Sequence, residues 1–548
     1  MRIKSLNIRG FRCFRDLSLT FDPQLTTLVG ENGTGKSTIG LAVSKLITQC
    51  ISGGDEISDE DYPYGIPGHL AIEATLDLSP NEVETILIAP LLGTRIADDD
   101  EISSKLRQWL LDQGPEIVLS LTRPGAGSPL LRWGEVQFRD KVMAVGVELT
   151  GAVNIGWRDV LSGAYGPAVD TIALINEKNV GGIALSSDQV GRALHSKYRM
   201  VQEFRARSEP GQRTGAVESM SGLDTASALL NLKNHSSPSQ RARYDDIVKA
   251  FGALFPRYLI AAVEQSPGAG TPDIQFIEAG EANPVSISGI SAGMHQALTL
   301  LVDLVAREGM IVFLEHPEQH LHPHSMRFLQ SFLRKGAEVN QIIVATHEPY
   351  FVDPSAALGV RRFWWTKDAA ARAFEIPTSM TNVQMAQIET ALRHLRNREI
   401  VFARSVILVE DESQQGFLTT VAPTLDHDID AHSVSIISVD GHDGYKPYEV
   451  LLKALRIPYV CLRDRPWGAK KNHPRDRFFS LGAELEDYLD NNGLAEARQK
   501  VIHEVGTSKR RVASALGASV TKGHIPPVFS DVLKAAVDLA TGEPTLAT

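Results

Sequence analysis

The stretch GENGTGKST, Gly30–Thr38, decides how the chain begins to fold. It matches G-x-x-x-x-G-K-[ST] at Gly30, Gly35, Lys36 and Ser37 and lies between the apolar run LTTLVG and the helical IGLAVSKLI. A strand, a glycine loop and a helix in that order form a phosphate cradle. Gly30, Gly33 and Gly35 let the backbone around Asn32 curl its N–H groups toward phosphate oxygens, and the helix N-terminus at Lys36–Thr38 adds a positive dipole end. Lys36 neutralises β/γ-phosphate charge, and Ser37 is placed to ligate Mg²⁺. Working outward, IKSLNI alternates apolar and polar residues and LSLTF follows it, so residues 1–45 read as strands leading into the loop and its helix.

The composition sets the limits of this reading. With 548 residues, 43% hydrophobic and 22% charged, the chain is long enough for two or three cores of an ordinary globular protein. The start MRIKSLNIRGF has no apolar segment of the signal-peptide kind, and the most apolar stretch is interrupted by Asp303, Arg307 and Glu308, so no membrane association is expected. Three cysteines (Cys13, Cys50, Cys461) without paired spacing argue for a reducing compartment and a cytoplasmic location. A net charge of −11 gives no global attraction to nucleic acid. Contact with DNA would have to come from local basic segments, for which Arg393–Arg398, Arg463–Arg477 and Lys509–Arg511 are the candidates, although such runs are usually solvated faces.

The opening IKSLNIRGFRCFRDLSLTFDPQLTTLVGENGTGKST resembles the N-terminus of SMC-like and OLD-family (overcoming lysogenization defect) ATPases, and Arg12 falls within the matching strand motif. The resemblance implies ATP as ligand and places Arg12 near it. The other parts of such a head follow far downstream. ISGISAGMHQALTLLVDL is similar to a signature segment, with Ser291 and Gly293 at a helix start that would meet the γ-phosphate of ATP held by a second head. In GMIVFLEHPEQHLHP an apolar strand ends in Glu315, the position of a Walker B acid that holds Mg²⁺. His316 stands where the resemblance expects a catalytic glutamate, which leaves ATP turnover open. QIIVATHEPYF ends a strand at His347, which is similar to a switch histidine sensing γ-phosphate. The group His316, His320, His322 and His324 is read mainly as structural rather than as a metal site.

The second half reads as alternating strands and helices, hence a parallel sheet. SVILVE ends in Glu410 and YVCLRD in Asp464, so both carboxylates fall at strand carboxyl ends, where open α/β sheets place their sites. FARSVILVED resembles the lead-in of an OLD-type Toprim domain. That resemblance implies Mg²⁺ or Mn²⁺ held by Glu410 and Asp464, with Glu486 as a further ligand and Lys509 assisting at the scissile phosphate. Gln414 and Pro466 replace two of the acids the pattern expects.

The expected architecture is α/β: an ABC-type (SMC-like) ATPase head with a helical insert, followed by a Toprim-like α/β domain. The boundaries are residues 1–150 and 261–365 for the head, 151–260 for a helical dimerisation insert, 366–398 for a linker and 399–548 for the Toprim-like domain. The resemblance implies an ATP-gated, metal-dependent DNA nuclease, assembled as a homodimer or larger oligomer and acting in phage defence; repair remains open. The losses at His316, Gln414 and Pro466 keep a second reading in view, an ATP-binding scaffold or sensor that assembles with a nucleic acid or a separate effector.

Overall fold

The computed structural model describes residues 1–52, 57–65, 68–88, 116–123, 132–138, 141–147, 187–201, 222–264, 272–281, 283–286, 289–319, 321–365, 371–465 and 477–542. They fall into two compact units, one of residues 1–28, 32–346 and 369–373, the other of residues 29–31, 347–368 and 374–548. Among the described residues no helix is long and apolar enough to cross a membrane.

The first unit carries an antiparallel sheet in the order β2-β1-β4-β5-β6-β7, formed by Phe14–Thr20, Arg2–Phe11, Leu70–Asp77, Glu116–Arg123, Arg132–Phe138 and Lys141–Val147. In β1 Ile3, Leu6, Ile8 and Phe11 are buried, and a register shift between Ile3 and Ser5 absorbs the first of two breaks in the alternation. A parallel layer follows, β3 (Leu25–Gly30), β13 (Gln341–Ala345), β12 (Ile311–Glu315) and β8 (Tyr198–Val201). Helix α1 (Lys36–Ser52) lies on it, with Gly40 so close to β12 that a Cβ there would stand 2.7 Å from the Phe313 ring.

The expected helical insert is only partly of that kind. Residues 151–186 and 202–221 lie outside the described residues. Of the described part, α2 (Ser187–Lys197) leads into β8, which pairs with β12 and so belongs to the parallel layer. Helices α3 (Gly222–Asn234) and α4 (Pro238–Leu254) pack with strands β9 (Tyr258–Glu264) and β10 (Pro272–Glu278) and with helix α5 (Ala292–Ala306) in one core around Phe251, Phe276 and Leu298. β11 (Val285–Ser286) completes that small sheet, and α6 (Pro323–Gly336) follows β12.

In the second unit, β14 (Val360–Trp365) precedes residues 366–398, the stretch read as a linker, of which 371–373 cluster with the first unit. Those residues contain strand β15 (Ala371–Glu375) and helix α7 (Asn382–Leu392), and Ile388, Ala391 and Leu392 are fully buried in the unit's core. The helix begins with a capping box at Thr381 and Gln384, which explains how so weakly amphipathic a segment starts. Beyond it lies a parallel sheet, β17-β16-β18-β19, made of Val434–Ser438, Ser405–Val409, Tyr459–Arg463 and Phe478–Ser480. Helices α8 (Glu412–Val421), α9 (Tyr445–Ala454), α10 (Leu485–Leu489), α11 (Ala495–Val505), α12 (Lys509–Ser519) and α13 (Pro527–Thr541) accompany it. Val406 through Val409 are all fully buried, the run of apolar residues expected of a strand covered on both faces.

Phe417 on α8 and Phe529 on α13 are fully buried with ring centroids 4.8 Å apart. Phe417→Ala should cost about 3–5 kcal/mol. Denaturant unfolding followed by circular dichroism checks this, and a loss below about 1 kcal/mol would mean that these helices do not share one core.

Candidate functional site

Two centres follow from the strand ends, one in each unit. In the first, register alone aligns the parts. Glu315 pairs with Ala345, Ala345 pairs with Leu28, and Thr346 N–H donates to Leu28 O at 3.2 Å. The chain then enters the phosphate loop, where Gly33 and Gly35 take φ of 77° and 91°, the left-handed region that glycine supplies at little cost. Any Cβ on Gly35 would lie 2.4 Å from Cys13 Sγ and 2.5 Å from Phe14 Cζ, so the β1–β2 turn is pressed against the loop. Thr34 and Lys36 are buried, while Ser37 and Thr38 are half-buried. Burial pushes the Cys13 thiol up, against a hydrogen bond with Thr38.

Arg12 lies in that turn with φ 49°. Its guanidinium is engaged by Asp61, Nε to Oδ1 at 3.1 Å, and Asp61 also takes Lys45 at 3.1 Å. Asp61 is buried and was not singled out by sequence reasoning, because an acid in a DED run looks like a solvated one. Ser291 is the N-cap of α5 and accepts from Met294 N at 3.4 Å, so its hydroxyl serves its own helix. Gly293, Gln296, Glu315 and Gln319 share the wall of one cleft with Pro317.

His316 follows β12 in the left-handed region, φ 48°. Its Nδ1 lies 3.1 Å from Glu318 Oε1, and Glu318 Oε2 accepts from Thr346 Oγ1 at 2.9 Å. Burial pushes the Glu318 carboxyl up, but the bonds from His316, backbone and Thr346 outweigh it and hold the group below its ordinary value. The other histidines go elsewhere: His322 caps α6, His324 meets Arg327 at 2.7 Å, and His320 is outside the described residues.

Gly30, Glu31 and His347 belong to the second unit. Gly30, with φ 137°, lies where a Cβ would stand 2.3 Å from Phe363 O of β14. Glu31 accepts from both Nε and Nη2 of Arg404, with Nη2 to Oε2 at 2.7 Å, and Arg404 lies 5.8 Å from the Trp364 ring. Arg404 immediately precedes β16, the strand that leads to Glu410.

The second centre forms where β16 and β18 run parallel side by side, Val409 opposite Leu462. Glu410 and Asp464 are the next residues out of each strand. Glu410 Oε2 accepts from Asp464 N at 3.1 Å, and His442 Nδ1 lies 3.9 Å from Glu410 Oε1. Gln414 bridges the pair: its Oε1 accepts from Glu410 N at 3.0 Å and its Nε2 donates to Asp464 Oδ1. Asp411 is occupied as the N-cap of α8, accepting from Gln414 N at 2.8 Å. Burial, and next the charge of Glu410, push Asp464 up to about 7. Glu486 Oε2 is 3.5 Å from Lys509, which also reaches Glu484 at 3.1 Å, while Glu486 Oε1 is buried with no hydrogen-bond partner among the described residues. Burial and the Glu410 charge raise the proton affinity of Asp464, and a pair of carboxylates offering hard oxygen donors fits a divalent cation. Among the described residues, however, no group of three His, Cys, Asp or Glu side chains is arranged to hold a metal.

The basic segments are partly neutralised from within. Arg396 and Arg510 both meet Glu412, and Arg396 also reaches Asp440 at 3.1 Å. Arg463 lies 5.3 Å from the Tyr445 ring, while residues 466–476 of that segment, Pro466 included, lie outside the described residues.

Comparison with known proteins agrees with this division. Residues 1–63 match the family model described as AAA ATPase domain, residues 177–353 a further AAA domain, and residues 401–465 the model described as Overcoming lysogenization defect protein-like, TOPRIM domain. The chain is 22% identical to the OLD nuclease of Thermus scotoductus, across 97% of this chain and 95% of that protein. Its architecture is that of an OLD-family ATPase–Toprim protein. The Old nuclease of Escherichia phage P2 is 21% identical, over 85% of this chain and 77% of that protein. Among solved structures, the C-terminal region of the Burkholderia pseudomallei OLD protein aligns with 26% of this chain and 100% of its own, at 21% identity and a TM-score of 0.23. AAA ATPase segments followed by an OLD-like TOPRIM segment support an ATPase–nuclease domain content, and such domains imply use of a nucleotide and a divalent metal.

Gln414→Glu places an acid where an amide now donates to Asp464. It should strengthen Mn²⁺ binding by on the order of tenfold. Titration calorimetry on the nucleotide-free protein reads this directly, and unchanged affinity would place the metal away from Gln414.

Proposed function

We propose that this protein is an ATP-gated, metal-dependent DNA endonuclease or nickase of OLD type, acting in anti-phage defence. The observation that carries the proposal is the pair Glu410 and Asp464 at the carboxyl ends of neighbouring parallel strands, inside the segment that matches the TOPRIM domain. Glu410 and Asp464 would hold Mg²⁺ or Mn²⁺, with Glu486 as a further ligand, and the ion would supply charge stabilisation to a phosphodiester under attack. Lys509, tied to Glu484 and Glu486, is the cation placed to follow the scissile phosphate.

Lys36, Ser37 and the loop around Gly33 and Gly35 support binding of ATP with Mg²⁺. What supports gating is Glu31, inside that loop, held by Arg404 at the foot of β16. His347, Ser291 and Gly293 are assigned to sensing and sharing the γ-phosphate between two heads, so a homodimer or larger assembly in the cytoplasm belongs to the reading. The second reading, a scaffold or sensor that binds ATP and engages a nucleic acid or a separate effector, is favoured by one observation: the Gln414 amide donating into Asp464 where an acid is expected.

Supercoiled and linear DNA incubated with Mg²⁺ or Mn²⁺, with and without ATP, separate the two. Cleavage should occur and be lost in Glu410→Ala; cleavage that survives this change would move the metal site elsewhere, and no cleavage in any lane would favour the scaffold. Lys36→Ala should weaken ATP binding at least 100-fold, about 2.7 kcal/mol, by fluorescence titration. Arg404→Ala should retain cleavage yet blunt its response to ATP. An undiminished response would remove Glu31–Arg404 from the gating route.

A further inference from the structure

We infer that Arg396, Arg510 and Arg511 form a clamp for the phosphate backbone of a DNA duplex lying across the Glu410–Asp464 edge. This rests on the reading of that edge as a nuclease site. All the observations lie in the second unit. Arg396 belongs to the 3₁₀ turn Leu395–Phe402 and Arg510 to the first turn of α12. The two converge on the two carboxylate oxygens of Glu412, Arg396 Nη1 on Oε1 and Arg510 Nη1 on Oε2 at 2.9 Å. Arg396 Nη2 also reaches Asp440 Oδ1 at 3.1 Å. Their anchors belong to the carboxyl edge of the sheet. Glu412 opens α8 two residues after Glu410, which keeps the two Cα atoms within about 7.6 Å of each other. Asp440 precedes Gly441, whose N–H donates to Glu410 O at 2.8 Å. Lys509, next to Arg510, meets Glu484 and Glu486. Two basic segments that are far apart in the chain thus arrive beside the carboxylate pair.

Stability does not account for this arrangement. The Arg396 and Arg510 side chains are 47% and 66% exposed, and ion pairs so open to water hold a fold together weakly. Lys509, Arg510 and Arg511 occupy the first turn of α12 with no acid among them, where the helix dipole disfavours positive charge. Arg511 is exposed and makes no ion pair among the described residues. The arrangement supplies guanidinium groups held at a fixed spacing by one carboxylate, with donors to spare. Among the described residues Arg510 engages only Nη1 of its guanidinium, and Arg396 leaves Nε unengaged. A guanidinium carries five N–H donors in a planar fork, which matches phosphate oxygens as it matches a carboxylate. With a net charge of −11 the chain as a whole does not attract DNA, so the attraction has to be local. Glu410 and Asp464 repel the same backbone until a cation neutralises them. The arginines beside them are therefore the groups that fix the position of the strand over the edge.

The test is fluorescence anisotropy of a short labelled DNA duplex with the full chain, over salt from about 50 to 200 mM. It is run with EDTA alone and again with ATP and Ca²⁺. Arg396→Gln and Arg510→Gln should each weaken binding by about three- to tenfold and lower the slope of log K against log salt by roughly 0.9, the value of one phosphate contact. Arg511→Gln should act in the same direction. Glu412→Gln breaks the same ion pairs but removes a negative charge from the clamp, so it should tighten binding by about twofold or more. Lys522→Gln breaks an exposed pair with Asp426, beyond the other end of α8, and should change neither affinity nor slope. Arginine variants that match the parent in affinity and slope, while the parent binds DNA, would overturn the clamp and leave the nuclease reading standing. So would a Glu412→Gln protein that binds more weakly, because the pairs would then serve the fold. A loss in Lys522→Gln equal to the arginine losses would overturn it too, by reducing the effect to overall charge. A parent that binds no duplex under either condition would instead refute the nuclease reading, and the clamp with it.

Discussion

The pairing of Glu315 with Ala345, and of Ala345 with Leu28, carries much of what the first unit can do. Parallel strands deliver their carboxyl ends to one edge, so residues far apart in the chain arrive together without contacting each other on the way. Glu315, the buried Thr346 and Leu28, on the strand that enters the glycine loop, are neighbours for that reason. A shift of one residue in β12 would exchange the two faces of the strand, since side chains alternate across the sheet. The full burial of Ile311 and Val312, with Phe313 pressed against Gly40 of α1, forbids that slip. The second unit repeats the device with β16 and β18, where Val409 opposite Leu462 sets Glu410 beside Asp464.

At both edges an expected acid is missing, and the two replacements behave differently. Gln414 enters the carboxylate pair as a neutral bridge, accepting from Glu410 N–H and donating to Asp464, which reduces the charge available to a cation. His316 instead faces the carboxylate of Glu318, whose other oxygen is held by Thr346. The first sets a neutral amide between two carboxylates, and the second sets an imidazole beside one. Counting both as losses of acid would treat unlike chemistry as alike.

Much of this was legible in the residues. The phosphate loop, the strands ending at Glu315, Glu410 and Asp464, and the parallel order of the second half follow from local pattern, because glycine loops and apolar runs are fixed by near neighbours in sequence. The architecture of ATPase head followed by Toprim-like domain was also readable from motif order. Less legible were features made by long-range partners. Asp61 looks like one of three solvated acids until Arg12 and Lys45 close on it. Residues 366–398 look like a linker because α7 shows little amphipathic contrast, yet its Ile388, Ala391 and Leu392 are in the core. Tyr198–Val201 continues a helical pattern, but pairing with β12 takes it into the sheet, tertiary contact overriding local preference. Nothing local tells that Glu31, one residue into a phosphate loop, is paired with an arginine 373 positions away.

That pair is hard to explain as stabilisation. Both side chains keep some exposure, and ion pairs of this kind contribute about 1 kcal/mol or less. Its surroundings, however, are expensive. Arg362 is fully buried, its pKa pushed down to about 9 by desolvation with Glu31 acting against that, and its Nη1 has no hydrogen-bond partner among the described residues. A buried cation of this kind survives because Val401 O and Ala403 O accept from it at 3.2 and 2.7 Å and because it lies 4.4 Å from the Trp364 ring. The result is that the backbone leading into β16 is fastened to β14 by Arg362, and the next residue, Arg404, is fastened to the phosphate loop by Glu31. An aliphatic side chain at Arg362 would fill the same space at lower electrostatic cost, but it would not hold two carbonyls in line. The geometry therefore favours position over stability on the approach to β16, the strand that leads to Glu410.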